Sequence, residues 1–208
     1  KKESIPTGTC LILITPDSER TMLTFLGTAG KINENDINTN AVKNSEILLL
    51  EGYLWDEGEP KKAFEKAINN ANKIAMSLSD LFCVERHKPH VLELVKNKLD
   101  ITFANEQEIM SLNEKKKFDD VINFAKEINK LIVVTRGEKG AVAINKNEIV
   151  ECSAKDNLKI KDLTGAGDLF AGGFLHSLIN NKSIEESLKT GTEMSSKVIQ
   201  IIGARLNN

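Results

Sequence analysis

The sequence predicts an α/β domain in which a doubly wound, mainly parallel sheet carries helices on both faces. Three observations point there. Short apolar runs alternate along the chain with longer amphipathic stretches, the pattern of strands joined by crossover helices. Leu131 to Thr135 is a β-branched run of core-strand type. The residues directly after the predicted strands are the unusual ones: Gly52, Asp80, Asn105, Thr135 to Gly140, and a glycine-rich run at Gly165. In open sheets of this kind ligands sit beyond the carboxyl ends of the strands, so these positions mark a site.

The elements follow in order. Cys10 to Ile14 and Met22 to Phe25 read as two strands around the turn-forming Thr15-Pro16-Asp17-Ser18. Ile47 to Leu50 is a buried-strand candidate ending at Glu51-Gly52, and Glu59 to Asn72 is helical through Ala63, Phe64, Ala67, Ile68 and Ala71. A strand at Lys73 to Leu78 precedes a helix near Pro89 to Lys98. Leu99 to Ala104 is a strand and Phe118 to Lys130 a helix. Ala141 to Ile144 and Glu148 to Glu151 flank Asn145-Lys146-Asn147 as a hairpin. Two helices close the chain, from about Gly167 to Asn180 and from Ser183 to Ile202. No repeat or linker divides residues 1–208, so a single domain is expected.

Composition narrows the function. The formal net charge is -2, with lysines dispersed among acidic residues, which disfavours a nucleic-acid partner. No apolar run approaches a membrane span. Cys10, Cys83 and Cys152 show no paired spacing, which argues against a disulfide framework or a zinc site and fits a cytoplasmic setting.

The strongest chemical signal is Asp162-Leu163-Thr164-Gly165-Ala166-Gly167-Asp168-Leu169-Phe170, followed by Ala171-Gly172-Gly173. Small residues admit a ligand close to the backbone, and a helix N-terminus offers free N–H groups and a positive dipole end. Such a site stabilises negative charge on a transferring phosphoryl group, and an aspartate at its mouth can take a proton from an attacking hydroxyl. A dinucleotide fingerprint is excluded because Phe170 stands where its third glycine belongs. Neither Gly27 to Lys31 nor Gly137 to Gly140 provides a P-loop's glycine spacing and Lys-Ser/Thr ending. Asn105 and Glu108 directly follow a strand. They could hold magnesium through water, although Asn as N-cap and early glutamates on a helix explain them equally well. Thr135 to Gly140 is a tight loop whose charges could reach phosphates. Arg86-His87 reads as an exposed basic pair before a helix, and His176 as a packed or partly solvated residue on an apolar helix.

Together these segments resemble the ribokinase-like, phosphofructokinase B-type carbohydrate kinase family, with Asp162 to Phe170 similar to its C-terminal signature and Leu163 the one departure, where a threonine is usual. The resemblance implies that Asp168 is the catalytic base and that the amides of Gly165, Ala166 and Gly167 form an anion hole. It implies magnesium and phosphate at Asn105 and Glu108, and ATP at Asn105, Thr135, Gly137, Gly140 and Thr192. It also implies a monovalent cation, potassium, near Asp162, Thr164, Val198 and Gly203. Leu50 to Asp56, Leu78 to His87 and Phe103 to Glu108 are similar to a bacterial adenosine-kinase-like branch. That branch implies adenosine or a related nucleoside as phosphate acceptor. A ribose- or fructose-type sugar kinase and a non-catalytic nucleotide-binding fragment are the alternatives. The family's first strands and Gly-Gly substrate signature are not in this sequence, so an N-terminally incomplete fold is expected. Residues 8–27 are then lid-like strands, through which a homodimer could form.

Overall fold

The computed structural model describes residues 4–206. Eight strands appear among them: β1 (Thr9–Ile14), β2 (Arg20–Phe25), β3 (Leu48–Glu51), β4 (Ile74–Ser77), β5 (Ile101–Asn105), β6 (Leu131–Thr135), β7 (Ala141–Ile144) and β8 (Ile149–Cys152). The helices are α1 (Thr39–Lys43), α2 (Glu59–Ile68), α3 (Leu81–Asn97), α4 (Glu106–Leu112), α5 (Phe118–Ile128), α6 (Ala166–Ile179) and α7 (Ile184–Val198).

Strands β3 to β8 form one six-stranded sheet in chain order. The pairings from β3 to β6 are parallel, and β6–β7–β8 is an antiparallel meander. Parallel neighbours require crossover helices, and right-handed crossovers in a steadily advancing sheet place every helix on the same side. Accordingly α2, α3, α4 and α5 share one core with Leu50, Met76, Ala104, Ile132, Val134 and Val142. The β7–β8 hairpin then releases the chain to the other side. There α6 and α7 pack on Ala75, Ile101, Phe103, Val133, Ala141 and Ala143. The alternation Ile132, Val133, Val134 across these two cores is the strand period made visible. Phe174 is fully buried and meets Phe103 edge to face at 5.4 Å. Helices α6 and α7 approach closely, for a Cβ on Gly191 would lie 2.8 Å from the Phe170 carbonyl oxygen.

Several boundaries differ from the sequence expectation, for physical reasons. Helix α3 begins at Leu81 rather than near Pro89, because Asp80 caps it by accepting the Phe82 N–H at 2.8 Å. Pro89 kinks this helix instead of starting it, and His87 carries the non-helical φ/ψ pair -122°, 22°. Arg86 and His87 therefore lie inside the helix, not before it. The last helix stops at Val198, and the residues expected to continue it to Ile202 bend toward Gly203, whose φ is 91°. The short α4 is also a helix that periodicity alone does not reveal.

Strands β1 and β2 make a separate antiparallel pair. Its register puts Leu11, Leu13, Leu23 and Phe25 on one face, each at least half exposed. The opposite face carries Cys10, Arg20, Met22 and Thr24, which look into the cleft described next. Among the described residues no helix is long and apolar enough to cross a membrane.

Candidate active site

A cleft of about 970 Å³ opens at the carboxyl ends of β3, β4, β5 and β6, with β2 on its far wall. It gathers Asn105, Glu108, Thr135, Thr164, Gly165, Ala166, Gly167 and Asp168, which come from three separate stretches of sequence. Gly137, Gly140, Asp162, Thr192, Val198 and Gly203 are not on its wall.

The floor is the start of α6. Gly165 holds the left-handed φ of 80° that reverses the chain into the helix, and a side chain there would strike Ala204 at 2.9 Å. The N–H groups of Gly165, Gly167 and Asp168 have no acceptor among the described residues, whereas Ala166 N–H donates to the Leu163 carbonyl at 3.2 Å. Three free amides at a helix N-terminus thus face the cleft. Such amides are the donors an anion at a helix N-terminus would meet. A Cβ on Gly167 would meet nothing within 4 Å, so the backbone is bare on the side an anion would approach. The Asp168 carboxylate sits in the first helical turn and is exposed to the cleft.

Asn105 and Glu108 form a closed capping box at the head of α4. The Asn105 Oδ1 accepts from Glu108 N–H at 2.8 Å, while the Glu108 carboxylate accepts from Asn105 N–H at 2.9 Å and from its Nδ2 at 2.7 Å. The capping interpretation of this motif is realised, and both residues lie on the cleft wall. Glu108 is only 5% exposed, and burial pushes its carboxyl up to about 7, against the bond from Asn105. The negative charges of Asp80 and Glu51 add to the rise.

In the Thr135–Gly140 loop, Gly137 has φ 58° with open space beside it. Gly140 has a structural reason of its own, since a Cβ would lie 2.0 Å from the Cys152 carbonyl oxygen. Arg136 turns away from the cleft and donates through Nε to Glu106 at 2.9 Å. Thr192 is buried on α7 and its hydroxyl donates to the Cys152 sulfur at 3.7 Å.

Of the residues expected around a cation, Asp162, Thr164 and Gly203 are joined by hydrogen bonds. Asp162 is 1% exposed; its Oδ1 accepts from the Thr164 N–H at 2.8 Å and hydroxyl at 2.6 Å, and its Oδ2 from Gly203 N–H at 2.8 Å. Burial, the largest single influence, pushes this carboxyl up, but the three hydrogen bonds together hold it below the usual carboxylate range. Asp162 makes no ion pair among the described residues. Val198 is fully buried at the end of α7, and the neighbouring Ile199 carbonyl accepts from Lys161 and Asp162 N–H.

Sequence reasoning missed Glu51 and Ser79. Ser79, at the non-glycine φ of 70°, donates to Glu51 Oε2 at 2.9 Å and accepts Gly52 N–H at 2.8 Å. Burial raises the Glu51 carboxyl, and Asp168 adds to the rise, so the two carboxylates share one electrostatic environment. The position of Glu51 at a strand's carboxyl end was the available signal. Tyr53, Trp55 and Phe82 also line the cleft, beside an Asp56–Arg86 pair at 3.1 Å.

Comparison with known proteins agrees with this geometry. The profile described as pfkB family carbohydrate kinase matches residues 1–208. An adenosine kinase from Schizophyllum commune is 28% identical over 97% of the chain and 65% of its own length. The crystal structure of adenosine kinase from Sinorhizobium meliloti is 38% identical with a TM-score of 0.93, over 97% of this chain and 63% of that one. A probable sugar kinase from Rhizobium etli is 36% identical with a TM-score of 0.94, over 98% and 64%. The chain therefore spans about two thirds of the length of the relatives it matches. With the match running from the first residue to the last, the chain belongs to the pfkB carbohydrate kinase family.

Proposed function

We propose that this chain carries the phosphoryl-transfer site of an ATP-dependent kinase whose acceptor is a primary hydroxyl of adenosine or a related nucleoside. One observation carries the reading: Asp168 stands in the same helical turn as three unpaired amides, at the floor of a cleft large enough for an acceptor. The amides hold the oxygens of the transferring group, and the Asp168 carboxylate accepts the proton of the attacking hydroxyl. Both need to be within reach of one reacting centre, and one helix turn ensures that.

ATP supplies the phosphoryl group, and magnesium neutralises charge on it. No group of three or more His, Cys, Asp or Glu placed to hold a metal ion occurs among the described residues. That fits an ion held mainly by phosphate and water, with Glu108 reached through water. Asn105, Thr135, Gly137, Gly140 and Thr192 are the proposed ATP contacts. Asp162 is a buried carboxylate that makes no ion pair among the described residues, with Arg20 acting on it only at longer range, which suits a potassium ion beside Thr164, Val198 and Gly203. The flat side chains of Tyr53, Trp55 and Phe82 on the cleft wall favour a nucleobase-bearing acceptor over a bare sugar. The β1–β2 pair acts as a lid over the cleft, and its apolar outer face supports a homodimer. The free thiols and the demand for ATP suit the cytoplasm.

The test is ADP release with magnesium and potassium in the presence of adenosine, ribose or fructose. Release that depends on adenosine supports the reading. Release with a sugar alone keeps the chemistry and changes the acceptor, and silence with all three refutes an active site in this chain.

A further inference from the structure

The parallel register pairs Asn105 of β5 with Thr135 of β6. The next residue on each strand is charged, and the two meet: Arg136 Nε donates to Glu106 Oε2 at 2.9 Å, with side chains only 20% and 26% exposed. The guanidinium also sits over the ring of the first residue of α5, its central carbon 3.9 Å from the Phe118 ring centroid. Lys139, from the far side of the same loop, reaches the other Glu106 oxygen at 3.8 Å. Finally, Arg136 N–H donates to the Gly140 carbonyl at 2.8 Å, which closes the loop on itself. Neither Arg136 nor Glu106 lines the cleft. Yet Glu106 lies between Asn105 and Glu108 in sequence, and Arg136 between Thr135 and Gly137.

We infer that Glu106 and Arg136 are positioning residues that fix the Asn105–Glu108 cap to the Thr135–Gly140 loop, so that metal and nucleotide are bound as one unit. The inference rests on the ATP reading above. Its physical basis is that the cap heads α4 while the loop turns between the paired Thr135 and Ala141, so the two motifs project from the sheet on different elements. Asn105 and Thr135 are paired in the sheet, and beyond that pair the cap and the loop meet through Glu106, Arg136 and Lys139. A planar guanidinium gripped by a carboxylate on one edge and an aromatic ring on its face has little freedom. Shortening or flattening that grip lets the two motifs drift, and a displacement of an ångström is enough to uncouple groups that must act together.

The experiment is calorimetric titration with ATP in excess magnesium and with ATP in chelator. The protein is the full chain and its Arg136→Gln, Arg136→Lys, Glu106→Gln and Glu106→Gln/Arg136→Gln variants. The quantity read is the factor by which magnesium tightens ATP binding. The expected result is that Arg136→Gln and Glu106→Gln each shrink this factor by about tenfold, and that the double variant loses no more than either alone. Arg136→Lys keeps the charge and the fold but lacks the planar fork, and is expected to recover less than half of the loss. Equal weakening of both titrations, or losses that multiply in the double variant, would show a merely structural ion pair and overturn the inference. Should Arg136→Gln not fold, Arg136→Lys decides alone, since an unchanged magnesium factor in it overturns the inference. A parent chain that binds no ATP in either buffer refutes the nucleotide reading itself and the inference with it; a parent that binds normally beside insensitive variants refutes only the inference.

Discussion

The buried carboxylate of Asp162 accepts the backbone N–H of Gly203 at 2.8 Å, tying residues 41 positions apart and closing the C-terminal tail over the loop that leads to Asp168. The same tail places Ala204 against Gly165, so the entry to α6 is shaped from outside as well as by its own backbone. Replacing Asp162 with Ala leaves the Gly203 and Thr164 donors unpaired and is expected to cost about 1–3 kcal/mol in urea unfolding. Because the Asp162 carboxyl lies below its ordinary value of 3.8, its contribution is present above that pH and is lost as acid carries the protein through the lowered folded value. The Ala variant should therefore converge on the parent in strong acid, and a constant difference across pH would contradict the assignment.

Glu108 carries the opposite sign. Its carboxyl rises from 4.5 to about 7 in the folded chain, so the folded state favours the protonated form. Stability is then highest below 4.5 and falls as pH rises toward about 7, beyond which the loss is complete. Glu108→Gln removes the ionisation and should be more stable than the parent at alkaline pH by up to about 3 kcal/mol. Thermal melts on either side of this window check it: an equal effect at both ends would show that burial of the charge is not the cause.

Asp168→Asn preserves size and leaves the three amides in place. Turnover is expected to fall by roughly 10²–10⁴-fold, the usual range for a lost general base, while calorimetry finds ATP bound as before. Unchanged turnover would remove Asp168 from the chemistry.

Two glycines should respond in opposite ways to the same methyl group. At Gly140 a methyl would collide with the Cys152 carbonyl under a left-handed φ of 88°, so Gly140→Ala should lower stability by at least about 1 kcal/mol. At Gly167 nothing stands within 4 Å, so Gly167→Ala should leave the melting temperature intact and weaken ATP binding by filling the anion's approach. Loss of stability at Gly167 would mean that its openness serves packing.

Phe25 is 53% exposed on the outer face of β2, beside Leu11, Leu13 and Leu23. If that face joins two copies, Phe25→Glu should shift the chain from dimer to monomer in light scattering without changing the cleft. A parent that is monomeric at every concentration would rule the lid dimer out.

The central sheet was legible in the sequence because each strand is a short apolar run ending at a polar or glycine residue. Leu131–Thr135 matches its expected bounds. The start of α6 was legible for a similar reason: a glycine-rich stretch leads into an apolar helix, which begins at Ala166. What was not legible depended on tertiary contact. The helix from Leu81 was masked by Pro89, which breaks periodicity but only bends the real helix. The end of α7 is set by Asp162 capturing Gly203, a contact 41 residues away that local propensity cannot encode. Glu51 is tied to the cleft-lining Ser79, which holds a left-handed conformation that its residue type does not announce.

The chain contains a single tryptophan. Trp55 is 4% exposed on the cleft wall, with the His90 ring stacked 4.2 Å away and the His87 ring edge-on at 4.3 Å. Its fluorescence is therefore a native optical gauge of this wall. Emission will be blue-shifted by the dry surroundings and dimmed whenever either imidazole gains a proton. Burial lowers both imidazoles below their usual range, so the dimming sets in only under mild acid and leaves neutral solutions clear for observation. A molecule entering the cleft announces itself in that signal without any label being attached.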